Sequence, residues 1–266
     1  MSVKMKSIPV FQVDAFTTGP FTGNPAAVCV SAQWLPDDIM QKIAAENNLA
    51  ETAFIIPAGD DFKIRWFTPL VEVDLCGHAT LASGYVVLNH LKPGSKNVTF
   101  HSLHSGTLYV LLKGDMLELD FPTDRLTACV LPAVIKESLG IEPAESFLGR
   151  SDYLVRLKSE AEVLGVRPDF RRLATADGRG VIITAGGTDV DFVSRFFAPQ
   201  AGIDEDPVTG SAHTTLTPFW SSRLGKKTMT ARQLSARGGY LECTLNGDRT
   251  LISGHATLFL KGEILL

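Results

Sequence analysis

Two short stretches of this chain repeat each other in order, and that repetition restricts the folds open to it more than any other feature. Arg65-Trp66-Phe67-Thr68-Pro69 is echoed by Arg195-Phe196-Phe197-Ala198-Pro199, 130 positions later. Each copy is followed by an acidic stretch and then a small-residue turn opening a helical pattern. The turns are Asp74-Leu75-Cys76-Gly77-His78-Ala79 in the first half and Asp206-Pro207-Val208-Thr209-Gly210-Ser211-Ala212 in the second. Aligning Cys76 with Thr209 gives a separation of 133, so the second connection is three residues longer. Two echoes in the same order at nearly the same spacing indicate a duplicated unit. Pseudo-symmetric halves would set the two turns facing each other across an interdomain cleft, a common location for small-molecule pockets.

A length of 266 residues accommodates two domains of ordinary size. We expect them at residues 1–122 and 123–266, with the last strand able to return to the first domain. Hydrophobic residues make up 45% of the chain and charged ones 20%, which is the range of a self-folding globular protein. Net charge is −4 with Lys and Arg scattered singly, so no basic stripe exists to neutralise a phosphate backbone, and nucleic acid is not expected as a partner. Asp14 interrupts the N-terminal apolar run, and no segment reaches the ~20 apolar residues of a membrane span. Cys29, Cys76, Cys129 and Cys243 form no CxxC pair, which argues against a disulfide framework or a structural zinc site and for a reducing cytoplasm. Asn97-Val98-Thr99 matches a glycosylation sequon but is read as a chance match.

Apolar runs of strand length occur at Pro9–Val13, Ala26–Val30, Ala53–Ile56, Leu108–Leu112, Leu117–Phe121, Gly180–Thr184 and Thr257–Leu260. Helical patterns run from Pro36 to Asn47-Asn48, Cys76 to Asn89, Leu131 to Leu139, Arg167 to Ala174 and Gly210 to Leu224. Strands outnumber helices, and the order predicts a mixed α+β architecture in which helices pack inside or against curved sheets. No Gly-rich nucleotide-binding loop of the dinucleotide or P-loop type is present.

A glycine-led helix start presents free N–H groups and a partial positive charge, so the turns at Gly77-His78 and Gly210-Ser211 are each suited to a carboxylate or a developing oxyanion, the alternative being that Gly77 and Gly210 merely permit close helix packing. Glu51 follows the Asn47-Asn48 cap and precedes an apolar strand. A carboxyl there would border the core, where desolvation moves proton affinity toward neutrality, as a general acid/base needs, although position alone fits a strand-edge glutamate in solvent or in an ordinary salt bridge better. Glu46, inside the helix, is expected to face solvent. Cys76 at its helix start is a conceivable thiol base. Its counterpart Thr209 is far too weakly acidic to be a partner base, so Cys76 is read first as a small buried residue. His213 is placed on a helix side and His255 in a late loop. Asp206 is placed to orient a substrate amine or hydroxyl, or to cap its turn.

Five motifs in order carry a further expectation: Gly23-Asn24-Pro25-Ala26-Ala27-Val28, Asn48-Leu49-Ala50-Glu51-Thr52-Ala53-Phe54, Arg65-Trp66-Phe67-Thr68-Pro69, Gly77-His78-Ala79, and Asp206 through Ala212. Together they resemble the PhzF-like phenazine biosynthesis isomerase family, from about residue 8 onward. The resemblance implies a diaminopimelate-epimerase-like fold, two similar domains each wrapping a barrel-like sheet around a central helix. It also implies an isomerase without metal or organic cofactor, assembled as a homodimer and acting on a small carboxylate-bearing substrate. The family's acid/base falls on Glu51, and its substrate-binding groups on Gly77, His78, Asp206, Gly210 and Ser211. Cys76 departs from the phenazine enzymes toward thiol-bearing epimerase relatives. Two rivals therefore stand beside the one-base isomerase: an epimerase or racemase with Cys76 as one base, and a non-catalytic small-acid binding module.

Overall fold

The computed structural model describes residues 7–266. The chain divides into two units: residues up to Asp120 together with Ser253–Leu266, and Phe121–Ile252.

The first unit contains β1 (Ser7–Ala15), β2 (Asn24–Val30), α1 (Asp37–Asn47), β3 (Glu51–Ala58), β4 (Asp61–Phe67), the two-residue β5 (Glu72–Val73), α2 (Gly77–Val86), β6 (Asn97–Ser102), β7 (Gly106–Lys113) and β8 (Met116–Pro122). After α2 the helix continues as a π-turn to Leu91, slightly past the expected end at Asn89. Pro36 is the N-cap of α1 and not its first helical residue, and Asn48 closes it in the left-handed region at φ 50°. Asn tolerates that conformation better than most residues. Gly106–Lys113 includes the expected Leu108–Leu112 run, and alternate residues Leu108 and Val110 are buried, the period of a half-buried strand.

β2 runs parallel to β3, β3 antiparallel to β4, β4 parallel to β6, and β6 antiparallel to β7. Helix α2 packs against β1, β2, β3 and β7. Its residues from His78 to Gly84 are all buried, so the segment is enclosed on every side, unlike an amphipathic surface helix. Gly84 permits this, since a Cβ there would lie 2.6 Å from Val110 Cγ1. Helix α1 covers another face of the sheet through Met40, Ile43 and Ala44, packed with Phe54 and Phe67.

The second unit contains β9 (Thr127–Ala128), α3 (Ala133–Leu139), β10 (Glu145–Leu148), β11 (Asp152–Arg156), α4 (Glu160–Gly165), α5 (Phe170–Leu173), β12 (Gly180–Gly186), β13 (Phe192–Phe197), α6 (Gly210–Leu224), β14 (Thr228–Gln233), β15 (Gly239–Asn246) and most of β16 (Arg249–Gly254). The pairing sequence of the first unit recurs: β11 parallel to β12, β12 antiparallel to β13, β13 parallel to β14, and β14 antiparallel to β15. Val181 and Ile183 pack with residues of α3, α4 and α5. Thr184, between Ile183 and Ala185, turns the other way and accepts a hydrogen bond from Trp220 Nε1 of α6 at 2.9 Å. The helix expected over Arg167–Ala174 is the single turn of α5, capped by Asp169.

The last strand, β17 (Ala256–Leu265), belongs to the first unit and pairs antiparallel with β1 from Ser7↔Leu265 to Ala15↔Ala256, with a bulge at Gln12/Val13. None of the four cysteines is joined in a disulfide. Among the described residues, no helix is long and apolar enough to cross a membrane.

The internal echo has a physical basis in each unit. Arg65 on β4 grips Glu72 with two nitrogens, each 2.6 Å from a carboxylate oxygen, and lies over the Phe67 ring. Arg195 on β13 grips Glu205 in the same manner, at 2.7 and 2.9 Å, and lies over the Phe197 ring. Each arginine thus ties its strand to the acidic connection leading to the next helix start.

Candidate active site

In the first unit the site is built from three chain segments. Gly23 adopts φ +75°, and a Cβ there would lie 2.4 Å from the Ala15 carbonyl oxygen, so the turn into β2 requires glycine. That turn makes Asn24 the first residue of β2, fully buried. The parallel register sets Ala26 beside Glu51, which opens β3. The third segment is the start of α2, where Cys76 is the N-cap in an extended conformation and Gly77 and His78 begin the helix with N–H groups that have no intrahelical acceptor.

These segments bring Glu51, Cys76 and His78 together. Glu51 is 9% exposed, Cys76 6% and His78 4%, so all three side chains are held largely out of water. His78 Nε2 lies 3.2 Å from Glu51 Oε2. The other ring nitrogen, Nδ1, is 3.2 Å from Asn24 Nδ2 and 3.5 Å from Cys76 Sγ. If Nδ1 accepts from the amide, the ring proton sits on Nε2, the nitrogen nearer the carboxylate. Burial pushes the His78 imidazole down to about 3, so it is neutral at physiological pH. A carboxylate oxygen, a ring nitrogen and a thiol sulfur from these residues lie within 4.8 Å of one another, a donor set that can hold a metal ion.

In the second unit the predicted residues Asp206, Gly210 and Ser211 gather at the start of α6, whose N-cap is Thr209. Cys76 and Thr209 are therefore matching N-caps, as the alignment of the echoes requires. Asp206 is buried and accepts from the Thr209 hydroxyl at 2.5 Å, whereas Asp74 before the first turn is exposed. Gln233, fully buried on β14, holds the turn with both ends of its amide: Oε1 accepts from the Thr209 N–H at 2.9 Å, and Nε2 donates to the Asp206 carbonyl at 2.7 Å. Ser211 Oγ accepts from an Arg179 nitrogen at 3.0 Å, and Arg179 also makes a bidentate contact with Asp152. His213, assigned above to a helix side, is fully buried and donates from Nδ1 to the Thr209 carbonyl at 2.8 Å. Burial pushes its imidazole down to about 4.

Gln233, Arg179 and Asn24 escaped the sequence reading as participants. Asn24 stood inside a recognised motif without a role, and Gln233 and Arg179 are remote in sequence from the turn they touch. Glu46 is exposed and His255 lies between β16 and β17, as expected. An open recess in the second unit, lined by residues including Asp124, Leu148 and Arg150, has a volume of about 590 Å³ and contains none of the predicted residues.

Comparison with known proteins follows this geometry. The model of the phenazine biosynthesis-like protein family, PhzC-PhzF, matches residues 13–262. An uncharacterized isomerase of Pseudomonas aeruginosa is 49% identical over 259 residues, covering 97% of this chain and 99% of its own. The crystal structure of a PhzF-family phenazine biosynthesis protein from Enterococcus faecalis superposes with a TM-score of 0.95 at 46% identity, over 98% of this chain and 100% of that one. A hydroxyproline epimerase from Agrobacterium vitis shares the fold alone, with a TM-score of 0.65 at 12% identity over 100% of this chain and 93% of that one. The mixed α+β fold is thus the diaminopimelate-epimerase-like one, and the chain belongs to the phenazine biosynthesis-like, or PhzF, family of isomerases.

Proposed function

We propose that the protein isomerises a small amino- or hydroxy-carboxylate by moving one proton with Glu51. The observation that carries this reading is the placement of the Glu51 carboxyl, 9% exposed, with its Oε2 3.2 Å from a neutral imidazole. A carboxyl held largely out of water beside an uncharged ring is placed to take a proton and to return it. The carboxylate removes a proton from one substrate carbon, the electron pair shifts along the adjoining double bond, and the resulting carboxylic acid delivers the same proton to another carbon. His78 steadies the reacting carboxyl. The N–H groups at Gly77 and Gly210, with the Ser211 hydroxyl and Asp206, position the substrate's polar groups. No organic cofactor takes part in these steps, and the reading includes a homodimer, as the family resemblance implies, in the reducing cytoplasm suggested by four cysteines without a CxxC pair.

A second reading, epimerisation with Cys76 as a base, draws support from the thiol lying 3.5 Å from His78 Nδ1. It is the weaker one, because Thr209, the matching N-cap, gives its hydroxyl to Asp206 and offers no second base. The test is deuterium wash-in from heavy water into a pool of small amino and hydroxy acids. We expect label in a specific compound, reduced about 10²–10⁴-fold in Glu51→Gln and little changed in Cys76→Ser. Undiminished labelling by Glu51→Gln would sink the one-base reading, and loss in Cys76→Ser would favour the epimerase.

A further inference from the structure

We propose that Glu51, Cys76 and His78 form a binding site for a thiophilic divalent cation, Zn²⁺, which blocks the proton-transfer centre when bound. The binding site stands on the geometry alone, whereas the block on turnover rests on the acid/base role proposed for Glu51.

A carboxylate, an imidazole and a thiolate are the three ligand types that zinc accepts, and three protein ligands with one open position make up its exchangeable sites. Among the described residues these three form the one group of at least three His, Cys, Asp or Glu donors clustered this closely, with ligand atoms within 4.8 Å of one another. Zinc bonds of about 2.0–2.3 Å place tetrahedral ligand atoms roughly 3.3–3.8 Å apart. The carboxylate oxygen is 3.2 Å from Nε2, near that edge length, whereas the 3.5 Å thiol contact is to Nδ1 of the same ring. With Nε2 on the metal the sulfur has to move toward that nitrogen, starting from a cluster whose three ligand atoms already lie within 4.8 Å of one another.

The surroundings supply the imidazole with an outer partner. A ligating histidine almost always gives its other N–H to a carbonyl or carboxylate. Asn24 lies 3.2 Å from Nδ1, and its amide can turn to present Oδ1 in place of Nδ2, which serves the tautomer with Nε2 on the metal. On binding, the Cys76 thiol gives its proton to solvent and the sulfur keeps the electron pair that forms the Zn–S bond. Cys29 and Cys243 do not compete, since among the described residues neither belongs to a cluster of three donor side chains.

The experiment uses the full chain, reduced and metal-stripped, titrated with Co²⁺ and then Zn²⁺. We expect one equivalent of cobalt to give a thiolate-to-cobalt charge-transfer band in the near ultraviolet with four-coordinate bands in the visible, all displaced by zinc. The charge-transfer band should vanish in both Cys76→Ser and Cys76→Ala. In competition with a chromophoric chelator, Glu51→Gln and His78→Gln should each weaken zinc binding by more than the ~10–100-fold that follows loss of an outer-shell partner. Zinc should also raise the melting temperature of the wild type and leave that of a folded Cys76→Ala unmoved. Absence of the charge-transfer band in the wild type, or its persistence in both cysteine variants, overturns the site. Zinc that binds through these residues but leaves Glu51-dependent deuterium labelling intact would overturn the block. Labelling by zinc-free Glu51→Gln separately judges the acid/base reading.

Discussion

Burial pushes His78 to about 3 and His213 to about 4, while an unfolded chain carries histidines near 6.5. Between those values the unfolded state binds protons that the folded state refuses, so stability is full above pH ~6.5 and falls as pH drops toward the folded-state values. Each residue contributes on the order of a few kcal/mol across the whole window. We expect urea midpoints to decline from pH 7 to pH 5, before most carboxylates titrate, and His213→Gln to flatten that decline while lowering stability at pH 7. A midpoint unchanged between pH 7 and 5 would contradict the neutral, buried imidazoles. Glu51, Cys76 and His78 were legible because each stands in a short motif with a recognisable local chemistry. Asn24 and Gln233 were not, because an amide carries no periodic or charge signal and its value lies in a partner 54 or 24 positions away.

At the scale of elements, the arginine of each echo is the strut to test. Arg195 has a side chain 9% exposed and, besides Glu205, donates to the carbonyls of Val163 and Val166 at 3.2 and 2.8 Å. Arg65 is paired with Glu72 and Asp37, whose side chains are 31% and 78% exposed. Arg195→Ala leaves a partly buried carboxylate and two carbonyls without their cation and should cost about 3–5 kcal/mol, against roughly 1 kcal/mol for Arg65→Ala. Arg195→Lys should not restore the loss, since an ammonium cannot reproduce the two-pronged grip. Equal losses in chemical denaturation would refute this ranking. Helix α6 was legible at both ends because a glycine-led turn opens it and Gly225, at φ 65°, closes it. Helix α4 was overlooked although Ser159-Glu160-Ala161-Glu162 carries a capping signature: Ser159 accepts from the Glu162 N–H, and Glu162 reaches back to the Lys158 N–H. β13 hid inside the echo, and Phe192–Phe197 is buried at every position, so no alternation announced a strand.

For the molecule as a whole, the repeated order of parallel and antiparallel pairings followed from the duplication, which the spacing of two motifs made visible. Which strand borders β1 was a matter of long-range register, and the local pattern of Thr257–Leu260 does not encode it. Deleting Ala256–Leu265 removes the antiparallel partner of β1 along nine paired positions. We expect the truncated chain to be cut by protease within residues 7–120 while residues 121–252 stay protected, and equal protection of both would count against a first unit that depends on β17. The same pairing bears on biosynthesis. At 5–20 residues per second, roughly 7–30 s separate the emergence of residue 120 from that of β17. Through that interval β1 is hydrogen-bonded on its β2 side alone, with its other edge open to any extended strand nearby. The half bearing Glu51 thus carries an open strand edge until β17 arrives, and it is finished after the other half although its synthesis starts first.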